Sequence, residues 1–260
     1  MNHESAMTST ARALHILDCF SAAKPSLTLS EIARSLGQPL SSTHRQVGEL
    51  GRWGALERGE DGRYSIGLHL WEVGSLAARS RSLREVSLPY MQDLYAATEQ
   101  SVQVGVLDGH ETVYVERIFG HNAAKTLARP GGRLPFHVTS IGRVISAYST
   151  VREVDTLLSE PLTKMTRHTV AEPGALRREA AEIRRNGYAI TCRQVDLVSM
   201  SVAAPIRGPE NSVVAAISII VPVHGQAART FVPTVVAAAH GISRTLGARP
   251  RPAVVTGAAA

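Results

Sequence analysis

Along the first eighty positions the apolar residues recur at spacings of three and four, the pattern of short helices that bury one face. Over residues 8–20, Leu14, Ile16, Leu17 and Phe20 form such a stripe, and Lys24-Pro25-Ser26 breaks it. Thr28 and Glu31 then have the spacing of a capping box, in which each side chain satisfies a free amide of the first helical turn. Ile32, Ala33 and Leu36 make the inward face of that helix, and Gly37 supplies a left-handed stop. After Pro39 a further helix is predicted over 40–52, closed by Gly54, with Thr43, Val47 and Leu50 facing the core. Two helices across a Gly-Gln-Pro turn have the form of a helix-turn-helix. Residues 55–58, 59–62 and 63–66 follow as strand, glycine-flanked turn and strand, so 8–66 is expected to be a winged helix-turn-helix domain.

Residues 66–80 return to helical spacing, with Leu70, Trp71 and Leu76 able to form an adhesive face, and 67–81 is expected to be a linker helix. A second helix is predicted over 83–98, with Val86, Leu88, Met91, Leu94 and Tyr95 inward. The period then changes to two. Residues 101–107, the turn Asp108-Gly109-His110 and 112–116 predict a β-hairpin. Beyond it lie an expected strand at 125–128, a loop at 129–133, and helices at 140–148, 153–158 and 173–187. The last carries Arg184 and Arg185 in its final turn. Strands at 188–192, 199–206 and 213–221 and a helix at 231–246 complete the pattern. Helices on one side of a mostly antiparallel sheet would make 82–247 an α+β domain, and 248–260 has no pattern to hold it, as in a disordered tail.

Composition alters this picture at one point. A length of 260 residues suits two domains, and the net charge of +6 suggests nucleic acid. Residues 1–80, however, hold 8 Lys/Arg and 8 Asp/Glu, and the whole excess lies in 81–260, with 20 against 14. A DNA contact must therefore rest on where individual arginines sit. No run approaches about 18 consecutive apolar residues, and the first residues lack the apolar stretch of a secretion signal. Cys19 and Cys192 are too few and too far apart for a disulfide framework or a cysteine zinc site. The expectation is a cytosolic protein without a membrane partner.

In the second helix of the pair, Ser41 and Ser42 lie in the first turn, where hydroxyls and free amides can hold a phosphate. Arg45 lies one turn on and can reach a guanine edge or a phosphate; Gln46 can pair with adenine but flanks the buried face. With Thr43 and His44 between them, and Arg58 and Arg63 beside the wing tip, these eight residues are the candidate DNA contacts. Glu60 and Asp61 at the tip oppose a strong phosphate contact there, and a solvated polar helix face is the plain alternative.

Catalytic chemistry finds no support. The ten histidines form no metal-ligand spacing, and no Gly-x-Ser-x-Gly, P-loop or Rossmann glycine pattern occurs, so no metal or cofactor is expected. His137 and His168 are isolated and read as structural. A ligand cradle has more to recommend it. Residues 137–142 form a loop entering a helix, Ser199 and Ser201 share one strand face, and Ser218 and Ile220 share another. Such hydroxyls can be satisfied by nearby backbone or by a bound carboxylate.

In order, ARALHILDCF, LTLSEIARSLG, SSTHRQ, GRYSIGLHLWEVG, VGVLDGHETVYVERI, GGRLPFHVTSIGRVISAY, GYAI, SVAAPIRG, VVAAISIIVP and ISRTLG resemble the IclR family of bacterial transcription regulators over roughly 8–247. The resemblance implies a GAF-like effector domain, an operator DNA partner, a small organic or aromatic acid as effector, and a homodimer or a tetramer built as a pair of dimers. It also implies an effector pocket at Leu134, Ser140, Ile141, Thr191, Ser199, Ser201 and Ser218. The chain departs from the pattern at Thr191-Cys192-Arg193-Gln194, where relatives often carry acidic residues. Arg143 replaces a commoner lysine, which resembles the branch controlling aromatic-acid breakdown. The expected function is therefore a ligand-responsive DNA-binding regulator and not an enzyme. Two alternatives stand beside it: a hydrolase or isomerase using the Ser199/Ser201 region, and a DNA-binding scaffold whose second domain only oligomerises.

Overall fold

The computed structural model describes residues 8–21, 23–120, 129–224 and 228–249. The strand expected at 125–128 and positions 250–260 of the expected tail lie outside the described residues. The chain divides into two compact units, Met1–Arg81 and Ser82–Ala260.

Unit 1 opens with α1 (Ser9–Asp18), capped by Thr8, whose hydroxyl accepts from the Ala11 amide at 3.1 Å. A two-residue strand β1 (Ser26–Leu27) precedes α2 (Leu29–Leu36) and α3 (Leu40–Trp53). The capping box on α2 is formed: Thr28 N donates to Glu31 Oε2 at 2.7 Å, and Glu31 N to Thr28 Oγ1 at 3.2 Å. Gly37 and Gly54, with φ of 62° and 85°, end α2 and α3 in the left-handed region. The wing consists of β2 (Leu56–Arg58) and β3 (Tyr64–Ile66), and β1 adds to its far side in the order β1-β3-β2. Ile16, Leu27, Ile32, Val47 and Leu56 form the core. Leu14, expected in the α1 stripe, is exposed. It stands two residues from Ile16, and about 200° of helical rotation cannot put both on one face.

The helix expected over 66–80 is broken. α4 (Leu68–Ser75) stops after Gly74-Ser75, a pair of weak helix formers, and α5 (Ala78–Thr98) starts five residues before the expected 83. No residue of α4 is buried, and Leu68, Trp71 and Leu76 are each more than 60% exposed.

In unit 2, α5 leads to β4 (Ser101–Asp108), β5 (Glu111–Ile118) and β6 (Arg133–Pro135). A 3-10 turn (Phe136–Val138), α6 (Ser140–Ala147), α7 (Val151–Leu157) and α8 (Pro173–Asn186) follow. The chain closes with β7 (Ala189–Cys192), β8 (Ser199–Arg207), β9 (Val213–Pro222) and α9 (Val232–Thr245). The sheet order is β6-β5-β4-β9-β8-β7, and every neighbouring pair is antiparallel.

Helices cover both faces of this sheet, not one as the sequence suggests. On one face Met91 and Leu94 of α5 and Val235 and Ile242 of α9 pack on Val102, Val104, Val202, Ile206, Ile217 and Ile219. On the other, Ile141, Val144 and Ile145 of α6 and Ile183 of α8 pack on Tyr114, Leu134, Ala189, Ala203 and Ala216. Small residues make the second layer possible. Ala203, Ala216 and Gly105 let α6 settle close to the sheet, and all eight residues of α6 are buried. A methyl group at Gly105 would stand 2.9 Å from Val113 O and 3.3 Å from Ile141 Cγ2.

Candidate functional site

The structure sorts the eight candidate DNA contacts. Ser41, His44 and Arg45 lie on the exposed face of α3, and Ser42 is half-buried beside them. Arg45 has no hydrogen bond or ion pair among the described residues, because Glu49, one turn on, pairs with Arg52 at 2.5 Å. Thr43 and Gln46 are corrected: they are 0% and 4% exposed and belong to the inner face of α3. The Thr43 hydroxyl donates back to Pro39 O at 3.1 Å, so its proton serves the backbone of its own helix. On the wing, Arg58 is exposed, with its guanidinium 5.7 Å from the Tyr64 ring centre. Arg63 is drawn inward instead, donating to Glu31 Oε2 at 3.1 Å and Ser26 O at 3.4 Å. It braces the wing against the α2 cap.

Gly48 lies on the exposed face of α3, and a methyl group there would meet nothing within 4 Å. Glycine costs about 0.8–1.0 kcal/mol relative to alanine in a helix. Gly48→Ala is therefore expected to raise stability by roughly that amount in thermal or urea denaturation. If DNA lies against this face, the same variant binds it less tightly.

In unit 2 all seven implied effector positions, Leu134, Ser140, Ile141, Thr191, Ser199, Ser201 and Ser218, line one pocket between α6 and the sheet. Strand alternation explains the choice: Thr191 points in, whereas Cys192 is exposed. Neither Cys192 nor Arg193 is on the pocket wall, so their departure from the family pattern does not put a positive charge there.

The pocket's polar groups are built by three elements. Thr139 caps α6, accepting from Gly142 N at 2.9 Å and sharing a 2.7 Å hydrogen bond with Thr112 Oγ1. The capped turn leaves the Ser140 and Ile141 amides without intrahelical acceptors. Ser201 Oγ bonds to Ser140 Oγ at 2.6 Å and Thr191 Oγ1 at 2.9 Å, tying α6, β8 and β7 into one chain of hydroxyls. Neither partner is a general base, so Ser201 is not set up as a nucleophile.

Sequence reasoning does not reach Gln103, Gln194 or Asp196, which also line the pocket. Gln103 is 2% exposed and its Nε2 has no hydrogen-bond partner among the described residues. It is the register neighbour of Ser218 across the β4–β9 pair, so the two form one polar patch on the floor. Asp196 is the one charged side chain on the wall among the described residues, and its Oδ1 is occupied by the Val198 and Ser199 amides at 2.9 and 2.7 Å.

Behind the pocket Arg143 is 5% exposed and makes four hydrogen bonds. Nε donates to His137 O at 2.6 Å, Nη1 to both Glu179 carboxylate oxygens at 2.9 and 2.7 Å, and Nη2 to Gln194 Oε1 at 2.7 Å. Gln194 in turn donates to His168 O at 2.6 Å and accepts from Val170 N at 2.8 Å. One buried guanidinium thus fixes the loop that closes the pocket.

His137 is buried outside the pocket, with Nε2 3.0 Å from Thr163 O. Burial chiefly, helped by the Arg143 charge and opposed by the Thr163 bond, holds its pKa below the usual 6.5. The folded state therefore takes up its proton at lower pH than the unfolded chain does. The contribution of neutral His137 is complete above about pH 6.5 and is lost as pH falls toward the folded value. Urea midpoints taken from pH 7 down to 5 should fall, and His137→Asn should flatten that slope.

The comparisons agree with this arrangement at both ends of the chain. A bacterial transcriptional regulator IclR C-terminal domain matches residues 75–244, and an IclR helix-turn-helix domain matches 9–60. The chain is 34% identical over 213 residues to the HTH-type transcriptional regulator XynR of Escherichia coli, covering 81% of this chain and 84% of that one. It is 32% identical over 197 residues to KipR of Bacillus subtilis, covering 75% and 79%. The crystal structure of an IclR homolog from Microbacterium hydrocarbonoxydans, complexed with 4-hydroxybenzoate, matches with a TM-score of 0.87 at 35% identity. That match covers 92% of this chain and 99% of the other. Matched by a family domain over more than half its length and by relatives above 30% identity, the chain belongs to the IclR family of bacterial transcription regulators.

Proposed function

We propose that this regulator senses a small aromatic or hydroxylated carboxylic acid in the α6 pocket and thereby alters operator binding through α3. The observation that carries the reading is the buried Gln103 Nε2, without a hydrogen-bond partner among the described residues, on the floor of a pocket whose wall has no cation among those residues. An acid entering here would have its charge met by the α6 amides and the Ser140–Ser201–Thr191 hydroxyls, and a second polar group by Gln103 and Ser218. The homolog bound to 4-hydroxybenzoate supports an acid of that shape.

The space left between the walls is about 40 Å3. A cavity that holds benzene is roughly 150 Å3, so a ring enters only as side chains such as Met200 and Ile220 give way. Occupancy is thereby coupled to a change in conformation, which a ligand-responsive switch requires. The six-stranded sheet with its helical layers supports reading unit 2 as a GAF-like effector domain, and in this reading residues 8–66 are the DNA reader and 67–81 the link.

A single winged helix reads few base pairs, so a homodimer, or a pair of dimers, supplies specificity. The unburied apolar residues Leu68 and Trp71 of α4, and Leu76 just after it, support self-association. The test joins both halves. Thermal-shift titration with 4-hydroxybenzoate and related acids should raise the melting temperature, and the stabilising acid should change the gel shift of the gene's own promoter DNA. Arg45→Ala should weaken that shift roughly tenfold, in line with the loss of one base-reading arginine, while leaving acid binding intact. No stabilisation by any acid would favour the scaffold alternative.

A further inference from the structure

About 20 Å along β8 from Ser201, at the strand's other end, unit 2 has a second concave site. Arg184 and Arg185 in the last turn of α8, Arg207 at the end of β8, Arg244 in the last turn of α9 and Arg249 just beyond it line an open cleft of about 650 Å3. No aspartate or glutamate among the described residues lines it. Several arginines elsewhere in the unit are matched to carboxylates, Arg133 to Asp108 and Glu111, Arg143 to Glu179 and Arg177 to Asp155, whereas others such as Arg152 and Arg229 stand singly and not in a cluster. None of the five cleft arginines has an ion pair among the described residues.

Helix-end compensation is the competing explanation, and its size can be compared. A helix C-terminus carries about half a negative charge, so α8 and α9 together offset about one of five positive charges. Most of the local excess is left over. The cleft also has fixed and free parts, as a preformed anion site needs. Arg184 Nη1 is tied to Ala147 O at 2.7 Å. Arg207 Nη1 is tied to Asn211 O at 2.8 Å, with its guanidinium 4.8 Å from the Tyr148 ring centre. Arg185, Arg244 and Arg249 are exposed and have no hydrogen-bond partner among the described residues.

We propose that this cleft binds a small, multiply charged phosphate-bearing anion, at a site separate from the α6 pocket. Guanidinium forks match phosphate oxygens two at a time, and several converging forks suit a diphosphate better than a single carboxylate. The volume is that of a small-molecule site, and the surface is concave, not a flat track for a duplex.

The test is calorimetric titration of the full chain with inorganic pyrophosphate, against sodium chloride at matched ionic strength. Saturable binding with a Kd below about 1 mM is expected, corresponding to about −4 kcal/mol or better. The exposed-site double variant Arg185→Gln/Arg244→Gln should weaken it at least tenfold with an unchanged circular dichroism spectrum, and Arg249→Gln alone should weaken it less. Acid binding in the α6 pocket should be unaffected, so failure of this proposal and failure of the effector reading are separable. Absence of binding above the chloride control, or equal binding by the folded double variant, overturns it. A duplex of unrelated sequence that displaces pyrophosphate, and loses affinity in the same double variant, assigns the cleft to the DNA backbone and likewise overturns it.

Discussion

Replacing Arg143 with alanine is expected to cost the protein about 3–5 kcal/mol, the usual price of leaving one partner of a buried ion pair alone. The side chain is 5% exposed, and its four hydrogen bonds join the 3-10 turn, α6, α8 and the loop after β7. Alanine leaves the Glu179 carboxylate, the Gln194 amide and the His137 carbonyl to find partners in a volume the guanidinium had filled. Glu179, with 26% of its side chain exposed, can recover some solvation, which favours the lower part of that range. Arg143→Lys should fall between the two, because one ammonium cannot serve three acceptors spread around a planar fork. Urea denaturation of the three proteins decides it. A loss below about 1 kcal/mol for alanine would show that the network is not what holds the pocket loop.

That residue also shows where the sequence was and was not legible. The capping box at Thr28 and Glu31, the stops at Gly37 and Gly54, and strands β4, β5, β7, β8 and β9 follow local rules and could be placed from local spacing, whereas the three-residue β6 falls where a loop is expected. Arg143 follows none. In the sequence it is a basic residue near the start of a helix, and nothing local says that Glu179 and Gln194, 36 and 51 residues away, converge on it. Gln103 was hidden for a related reason. In β4 it alternates with Val102 and Val104, the look of a solvent-facing position on a sheet covered on one side. Small residues on neighbouring strands, Ala203 and Ala216, are the signal that a helix covers that face as well. The seven pocket positions implied by the family resemblance come together, but as positions only. The pocket side chain with the unmet hydrogen bond, Gln103, is not among them, and it is visible only once the fold has closed over it. On α3 the helical period could be read, yet the boundary of its buried face fell one residue wider than the polar pattern suggests, taking in Gln46.

Gln103→Leu is expected to move stability and ligand binding in opposite directions. A buried donor without an acceptor costs about 1–3 kcal/mol, and leucine removes the donor at similar volume, so the ligand-free protein should melt higher. In the complex the same amide would be satisfied by the acid or its second polar group. A hydrogen bond contributes about 0.5–1.5 kcal/mol to a neutral partner and about 1.5–3 kcal/mol to a charged one, so affinity should fall by roughly threefold to tenfold if a hydroxyl lies there and by tenfold to a hundredfold if the carboxylate does. A purely structural glutamine predicts something else: stability falls or holds, and affinity hardly changes. Gln103→Glu then reports which end of the ligand lies on the floor. If the carboxylate lies there, the added negative charge repels every acid of the series. If a hydroxyl lies there, glutamate accepts from it, and acids bearing that hydroxyl keep their affinity while those without it lose theirs. Calorimetry on benzoate and 4-hydroxybenzoate with the three proteins separates these outcomes. Unchanged binding of both acids to Gln103→Leu would remove Gln103, and with it the polar floor, from effector recognition.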